Sequence, residues 1–181
     1  PPLPLEIEPG LQITHYFVPP TVTFASSVHV AEVEVDKETG FVVLQNYSVV
    51  HDCGTVINPM IVDGQVQGGI AQGIGSALYE EVVYDENGQL LTGTYMDYLL
   101  PTSMEIPTVK KGHQQHLSTR NPLGIKGVGE GGAISPPAAI ANAIVDALSD
   151  LDIVINQLPV SPSRLRGLIK EAEKKQSAIL N

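Results

Sequence analysis

The sequence predicts an α+β fold in which antiparallel β-hairpins pack against a glycine-rich helix and two amphipathic helices. A strand-like alternation, a turn and a second β-rich run follow one another between residues 28 and 50. Apolar residues recur at a helical period in three later segments. Hydrophobic residues make up 43% of the 181 residues and charged residues 17%, which excludes a wholly disordered chain.

The chain is expected to consist of an extended, proline-rich arm over residues 1–27 and a folded (sub)domain over residues 28–181. Four of the first nine residues are proline, and Pro19 and Pro20 follow. Proline lacks the backbone N–H that regular elements need, so the arm is expected to be irregular and to lean on another part of the protein.

Two hairpins are predicted after the arm. In the first, residues 28–35 alternate as a strand, residues 36–40 form a turn, and residues 41–50 form the returning strand. The second is predicted over residues 81–91, where Asn87-Gly88 supplies residues that tolerate a positive φ in a tight turn.

Two ordinary packing helices are predicted near the end of the chain. Residues 136–148 place apolar side chains on one face, and Ser135 precedes Pro136 in the arrangement of an N-cap and a first helical position. Residues 161–175 repeat this start signal and carry an apolar stripe on an otherwise charged helix.

The third predicted helix, over residues 65–80, is unusual because it contains four interior glycines. Together they cost about 2–4 kcal/mol relative to alanine, so they require a reason. One interpretation is close packing of another element against the pair Gly69 and Gly73. The other is a glycine-rich helix N-terminus whose backbone N–H groups approach a bound anion, with glutamine amides contacting a polar heterocycle. The glutamines that interleave with the glycines are Gln65, Gln67 and Gln72.

A second glycine cluster, Gly127, Gly129 and Gly132, has the spacing G-x-G-x-x-G. This spacing suits a dinucleotide-binding turn, but Pro122 interrupts the preceding segment, which is not a buried β-run. A Rossmann-type dinucleotide-binding domain is therefore the less favoured alternative. The other interpretation centres on Glu130, since a carboxylate flanked by glycines is accessible and can act as a general base. A solvated Glu130 in a tight turn is the structural alternative.

Charge and cysteine content restrict the possible functional classes of the protein further. The net charge of −10 argues against nucleic-acid binding, and the single cysteine excludes an internal disulfide. His51-Asp52-Cys53 is assigned a structural role rather than a nucleophilic one. His113 and His116 lie in what is expected to be an exposed loop, and no metal-ligand set is predicted. With no apolar run near the roughly 20 residues that span a bilayer and no signal-peptide pattern, a cytoplasmic protein without a membrane span is expected.

Three strings resemble a known family: HDCGTVINPMIVDGQVQGGIAQGIGSALYEE, LLTGTYMDYLLPTS and NPLGIKGVGEGGAISPPAAIANAIVDAL. They are similar to the C-terminal part of the large, molybdenum-binding subunit of the xanthine oxidase family. The most similar branch contains aerobic carbon monoxide dehydrogenase large subunits and related aldehyde and N-heterocycle hydroxylases. The resemblance extends over residues 28–165 and implies that the fold is the second half of a molybdopterin-binding domain.

The resemblance implies a molybdopterin cofactor with molybdenum, in bacteria and archaea usually as the cytosine dinucleotide. Glu130 falls on the family's catalytic glutamate, which accepts a proton during oxidative hydroxylation of an aldehyde, an N-heterocycle or a CO-like substrate. No residue of this chain is expected to bind the metal itself. The residues implied to contact the cofactor are Gln67, Gly68, Gly69, Ile70, Ala71, Gln72, Gly73, Gly127, Val128 and Gly129.

The resemblance also implies partners. The remainder of the molybdenum subunit would complete the site, and iron–sulfur and flavin subunits would carry [2Fe-2S] clusters and FAD. The chain is expected to be an oxidoreductase that is inactive without them. The alternative from another functional class is a non-catalytic assembly or binding module on the same scaffold.

Overall fold

The computed structural model describes residues 10–179, and the elements of this range form one sheet covered by helices. In chain order they are β1 (Ser26–Val35), β2 (Val42–Asp52), α1 (Pro59–Leu78), β3 (Val109–His113), α2 (Pro136–Ala147) and α3 (Pro162–Ile179), with a 3-10 turn over Ser149–Leu151. The expected mixture of α and β structure is confirmed, and the helix and sheet layers share one core. The arm is irregular over residues 10–25, and its first nine residues lie outside the described range.

β1 and β2 form the first predicted hairpin. They pair antiparallel, with Val28 opposite Val50 on the exposed face and Val35 opposite Val42 on the core side, and the register shifts between Glu32 and Val33. The turn closes through Gly40, whose φ of 76° is accessible to glycine at little cost. A β-carbon at Gly40 would also overlap the backbone of α3, which fixes the turn against that helix.

The third strand was not predicted. β3 pairs parallel to β2, with Val109 beside Tyr47 and His113 beside His51. The sheet is therefore mixed rather than purely antiparallel. His113 lies in a strand and not in the expected loop, although it is exposed as expected. The sequence VKKGH has one buried apolar residue, Val109, and no alternation, so it carries no strand signal.

The second predicted hairpin is reduced to its turn. Gly88 has a positive φ, and the Asp85 carboxylate accepts hydrogen bonds from the amides of Asn87 and Gln89. The two flanks are joined by one isolated antiparallel bridge, between Tyr84 and Leu90, and by a hydrogen bond from the Val83 amide to the Thr92 hydroxyl at 3.0 Å. The flanking side chains are exposed on both faces, so a longer ladder would not be stabilised by burial of an apolar face.

All three helices occur where predicted. α1 begins six residues before the predicted start at residue 65. The Asn58 side chain caps it there by accepting a hydrogen bond from the Ile61 amide at 3.2 Å. Pro136 occupies the first turn of α2 as expected, but Ser135 makes no side-chain capping bond, so that detail is wrong. No helix in residues 10–179 is long and apolar enough to cross a membrane.

The core lies between the inner face of the sheet and the three helices. Its largest fully buried side chains are Tyr47, Ile70, Ile74, Ile140, Ile144, Leu148, Leu165 and Ile169.

Candidate functional site

Glu130 lies in a loop of residues 127–133, here called the Glu130 loop, which leads into α2. The chain enters it from an isolated β-bridge between Ile125 and Gly54. The Lys126 amide donates to the Cys53 carbonyl at 2.8 Å, and the Gly127 amide donates to the Thr23 carbonyl at 3.1 Å. The end of β2 and the arm therefore fix the start of the loop.

The underside of the Glu130 loop is packed too closely for side chains. A β-carbon at Gly131 would overlap the Nε2 atom of His51, and one at Gly132 would overlap the Val66 carbonyl of α1. From the other side, a β-carbon at Gly69 would lie 2.8 Å from the backbone of Gly132. One at Gly73 would lie 2.7 Å from the ring of Pro136. These contacts confirm the close-packing interpretation of Gly69 and Gly73.

The upper side of the loop is open. A β-carbon at Gly129 would meet no atom within 4 Å, and one at Gly127 would meet only the Thr23 carbonyl, at 3.4 Å. Glu130 is exposed and borders a cavity of about 770 Å³ between the loop and the arm. The large apolar side chains that line this cavity are Phe17, Val22, Phe24, Ile125 and Ile134.

The predicted cofactor segment of α1, residues 67–73, lies in the helix interior and not at its N-terminus. α1 begins at Pro59, so the N–H groups of these residues lie beyond the first turn and belong to the helical hydrogen-bond ladder. The argument from bare N–H donors at a helix end is therefore wrong for this segment. Gly68 and Gln72 are exposed and Gln67 and Ala71 are half-buried, whereas Gly69, Ile70 and Gly73 are buried.

Gln65 contacts the Glu130 loop directly, although sequence reasoning did not select it as a site residue. Its Nε2 atom donates to the Gly129 carbonyl at 3.2 Å. The two residues are 64 positions apart. The sequence indicated this contact only by placing a glutamine one helical turn before the glycines of α1.

A buried ion pair anchors the approach to the loop. The Lys126 Nζ atom lies 3.0 Å from Asp52 Oδ2, and both side chains are 12% exposed. Asp52 Oδ1 also accepts from the amides of Gly54 at 2.8 Å and His116 at 3.2 Å. Burial alone would raise the pKa of Asp52, but these amides and the ammonium group outweigh it and lower the pKa to about 2. Sequence reasoning missed the pair, whose members are 74 residues apart.

Two histidines lie beneath the loop. His51 is buried, and within the described residues its ring nitrogens make no hydrogen bond. Burial, and secondarily the neighbouring His113, lowers the pKa of His51. His29 contacts the Tyr47 hydroxyl and the Ser27 hydroxyl through its two ring nitrogens. The environment of both imidazole rings therefore favours their neutral form.

The structure bears on three functional alternatives, namely a nucleophilic cysteine, a dinucleotide-binding turn and a metal site. Burial raises the pKa of the Cys53 thiol, which lies at the end of β2 and makes a poor nucleophile. The Glu130 loop follows an isolated bridge, and α2 leads to a 3-10 turn and then α3, so no strand–turn–helix–strand unit surrounds the G-x-G-x-x-G string. Within residues 10–179, no group of three or more histidine, cysteine or acidic side chains is placed to hold a metal ion.

Comparisons with known proteins place the chain in a family. Residues 5–107 match the profile of the molybdopterin cofactor-binding domain. The nicotine 6-hydroxylase large subunit of Paenarthrobacter nicotinovorans is 41% identical over 162 residues, which are 90% of this chain and 20% of that protein. The chain spans about a fifth of the length of the curated relatives it matches.

Solved structures show the same relationship. Quinoline 2-oxidoreductase from Pseudomonas putida 86 superposes with a TM-score of 0.77 at 49% identity, over 79% of this chain and 18% of that one. Carbon monoxide dehydrogenase from Oligotropha carboxidovorans superposes with a TM-score of 0.88 at 33% identity, over 95% of this chain and 21% of that one. The chain therefore belongs to the molybdopterin-binding large subunits of the xanthine oxidase family.

Proposed function

We propose that this chain forms one part of the molybdopterin site of a molybdenum hydroxylase, as the second half of its cofactor-binding domain, and that Glu130 is the general base. The observation that carries the proposal is the two-sided Glu130 loop. Gly131 and Gly132 pack against β2 and α1, while Gly127, Gly129 and Glu130 face open space. A loop built in this way presents backbone and one carboxylate to a ligand from a rigid support.

The exposed groups fit a molybdopterin. A pterin ring offers donors and acceptors that amide side chains match, and Gln67 and Gln72 lie on the accessible side of α1. The bare backbone at Gly127 and Gly129, on either side of Val128, allows close approach of a large polar ligand. In this proposal Gly68 and Ala71 complete the contact surface on α1, and Gly69, Ile70 and Gly73 support it from below. The cytosine dinucleotide is the proposed form.

Glu130 would act by accepting a proton from the oxygen nucleophile. A bound molybdopterin supplies the metal centre that takes up the two electrons of a hydroxylation. The protein's part is to place a carboxylate beside the reacting atoms with its position already fixed. Gln65, through the Gly129 carbonyl, and Lys126, through Asp52, hold the stretch of chain that leads into Glu130. Such preorganisation reduces the entropy lost when the reacting groups meet.

We propose an aromatic N-heterocycle as the substrate. The nicotine 6-hydroxylase subunit and quinoline 2-oxidoreductase are 41% and 49% identical to this chain, and carbon monoxide dehydrogenases are 33–35% identical. Nicotine and quinoline both contain an aromatic nitrogen ring. The cavity beside Glu130 is lined largely by apolar side chains, among them Phe17 and Phe24, which suits a flat apolar ring better than a diatomic gas.

Completion of the enzyme requires further protein, because this chain spans about a fifth of its relatives. The remainder of the molybdenum subunit would close the cofactor site. Iron–sulfur and flavin subunits with [2Fe-2S] clusters and FAD are the proposed electron acceptors.

The proposal is tested on the full-length protein purified with its native partners. Metal analysis should find one molybdenum per large subunit, and acid release of the cofactor should yield one equivalent of CMP. With quinoline as the electron donor, the complex should reduce an artificial acceptor dye. Absence of molybdenum from the native complex would instead identify a non-catalytic module, and oxidation of CO alone would refute the proposed substrate class.

A further inference from the structure

Three side chains form a row of hydrogen bonds that runs from the core to the Glu130 loop. The Tyr47 hydroxyl lies 2.9 Å from His29 Nδ1, and His29 Nε2 lies 3.0 Å from Ser27 Oγ. Ser27 Oγ donates to the Gly131 carbonyl across 3.4 Å, between residues 104 positions apart. The proposed function makes no use of these side chains.

The direction of the row follows from its end. The Gly131 carbonyl can only accept, so the Ser27 hydroxyl must donate to it. Ser27 Oγ then accepts from His29 Nε2–H, which leaves Nδ1 of a neutral imidazole as an acceptor for the Tyr47 hydroxyl. Burial raises the pKa of Tyr47, which keeps this donor protonated. Burial, and then the nearby His51, lowers the pKa of His29, while the nearby Gly131 backbone acts in the opposite direction.

The row ends at the residue that follows Glu130. Tyr47 is fully buried in β2, and His29 and Ser27 lie on the core-facing side of β1. Gly131 also rests against the His51 ring, so the sheet supports it at two points. The last link, at 3.4 Å, is the longest and therefore the weakest of the three, and it is the one that joins the row to the loop.

We propose that Tyr47, His29 and Ser27 are positioning residues that hold the Gly131 carbonyl and thereby set the direction of the Glu130 carboxylate. This inference rests on the proposed function of Glu130. These three side chains form a polar row in a sheet whose other core-facing side chains are mostly apolar. In this proposal each hydroxyl acts by donating a hydrogen bond and not by filling space.

The experiment uses the full-length protein in its native complex and four variants. Ser27→Ala and Tyr47→Phe each delete one hydroxyl of the row. Ser27→Thr keeps the hydroxyl, and Ser26→Ala removes the neighbouring, exposed hydroxyl as a matched control. Hydrogen–deuterium exchange of a peptide covering residues 127–134 measures the loop itself. Molybdenum content, kcat and KM are measured on the same samples.

In Ser27→Ala and Tyr47→Phe, the loop amides should exchange about tenfold faster, the effect expected for the loss of one net hydrogen bond. We expect kcat to fall by about tenfold in both, with KM and molybdenum content near wild type. Ser27→Thr should restore both exchange and kcat, and Ser26→Ala should change neither. Because Ser27 is only half-buried, its variants give the answer even if Tyr47→Phe fails to fold.

Wild-type exchange of the loop in Ser27→Ala would overturn the inference, as would equal effects of Ser26→Ala. Faster exchange with unchanged kcat would overturn the link to Glu130. If the loop responds as expected but Glu130→Gln keeps full activity, the proposed function fails while the support of Gly131 by the row stands.

Discussion

Gly69 of α1 and Gly132 of the Glu130 loop are in backbone contact. A β-carbon on Gly69 would lie 2.8 Å from both the Cα and the carbonyl carbon of Gly132. The helix that carries four interior glycines is therefore shaped to receive the loop that carries the candidate base. Its glycines differ in their surroundings, since a β-carbon on Gly68 would meet nothing within 4 Å.

Neighbouring glycines should respond in opposite directions to the same substitution. Gly68→Ala should raise the free energy of unfolding by about 0.5–1 kcal/mol, because alanine restricts the unfolded chain and fits the helix. Gly69→Ala should lower it by about 1–3 kcal/mol, since its methyl group must displace backbone. Urea unfolding of the 181-residue chain measures both.

The assembled enzyme provides a second readout for Gly69→Ala. This variant should also reduce molybdenum content by shifting the loop, whereas the control Gly167→Ala, at an exposed position of α3 where a β-carbon would meet nothing within 4 Å, should leave the metal content within twofold of wild type. Equal stabilities of Gly68→Ala and Gly69→Ala would contradict the packing described for Gly69.

The Asp52–Lys126 pair should make stability depend on pH in acid. The pKa of Asp52 is lowered to about 2 in the folded protein. Its contribution, about 2 kcal/mol, is therefore fully present above the unfolded pKa near 4 and is lost as the pH falls through 2. Unfolding free energies measured between pH 6 and pH 2 should fall less steeply in Asp52→Asn than in wild type.

The matched control for this prediction is Asp146→Asn, which removes an exposed carboxylate on α2. It should keep the wild-type acid profile. Parallel profiles for wild type and Asp52→Asn would show that the ion pair contributes no pH-dependent stability.

The isolated chain should expose apolar surface and behave as part of a larger assembly. Phe24, Tyr95, Met96 and Met104 are each more than 80% exposed, which leaves much apolar surface uncovered in the chain by itself. We expect the 181-residue chain to bind a hydrophobic dye, to self-associate and to hold less than stoichiometric molybdenum. Met96→Ser should lower dye binding without changing the unfolding midpoint. A monomer that binds no dye at high concentration would contradict the prediction.

Local signals in the sequence were sufficient for much of the fold. The alternation of residues 28–35 predicted β1 because one face of that strand is half-buried and the other exposed, and the four-residue apolar period predicted α1. β3 could not be predicted, because only Val109 of its five residues is buried. The hairpin over residues 81–91 forms only its turn and one antiparallel bridge, because its turn chemistry is strong but its flanks have no buried face.

The site was predictable in outline and not in detail. Glycines around a carboxylate marked Glu130 as a candidate base, and this assignment stays a prediction. Which glycines pack and which stay open depends on α1 and β2, elements that lie far away along the chain. The contacts of Asp52 with Lys126 and of Gln65 with Gly129 are equally non-local, and no single window of sequence contains both partners.

The central claim is that the Glu130 carboxylate accepts a proton in catalysis. Glu130→Gln keeps the size of the side chain and its capacity for hydrogen bonds but removes its basicity. A positioned general base contributes about 10²- to 10⁴-fold to rate, so turnover of the native complex should fall at least a hundredfold. Glu86→Gln, at an exposed turn, is the control and should retain wild-type turnover.

The most direct test is turnover per bound molybdenum in the Glu130→Gln complex, with metal content and kcat determined on one preparation. The account predicts metal content near wild type together with turnover reduced at least a hundredfold. Full turnover, or a loss of turnover that only matches a loss of molybdenum, would contradict the role assigned to Glu130.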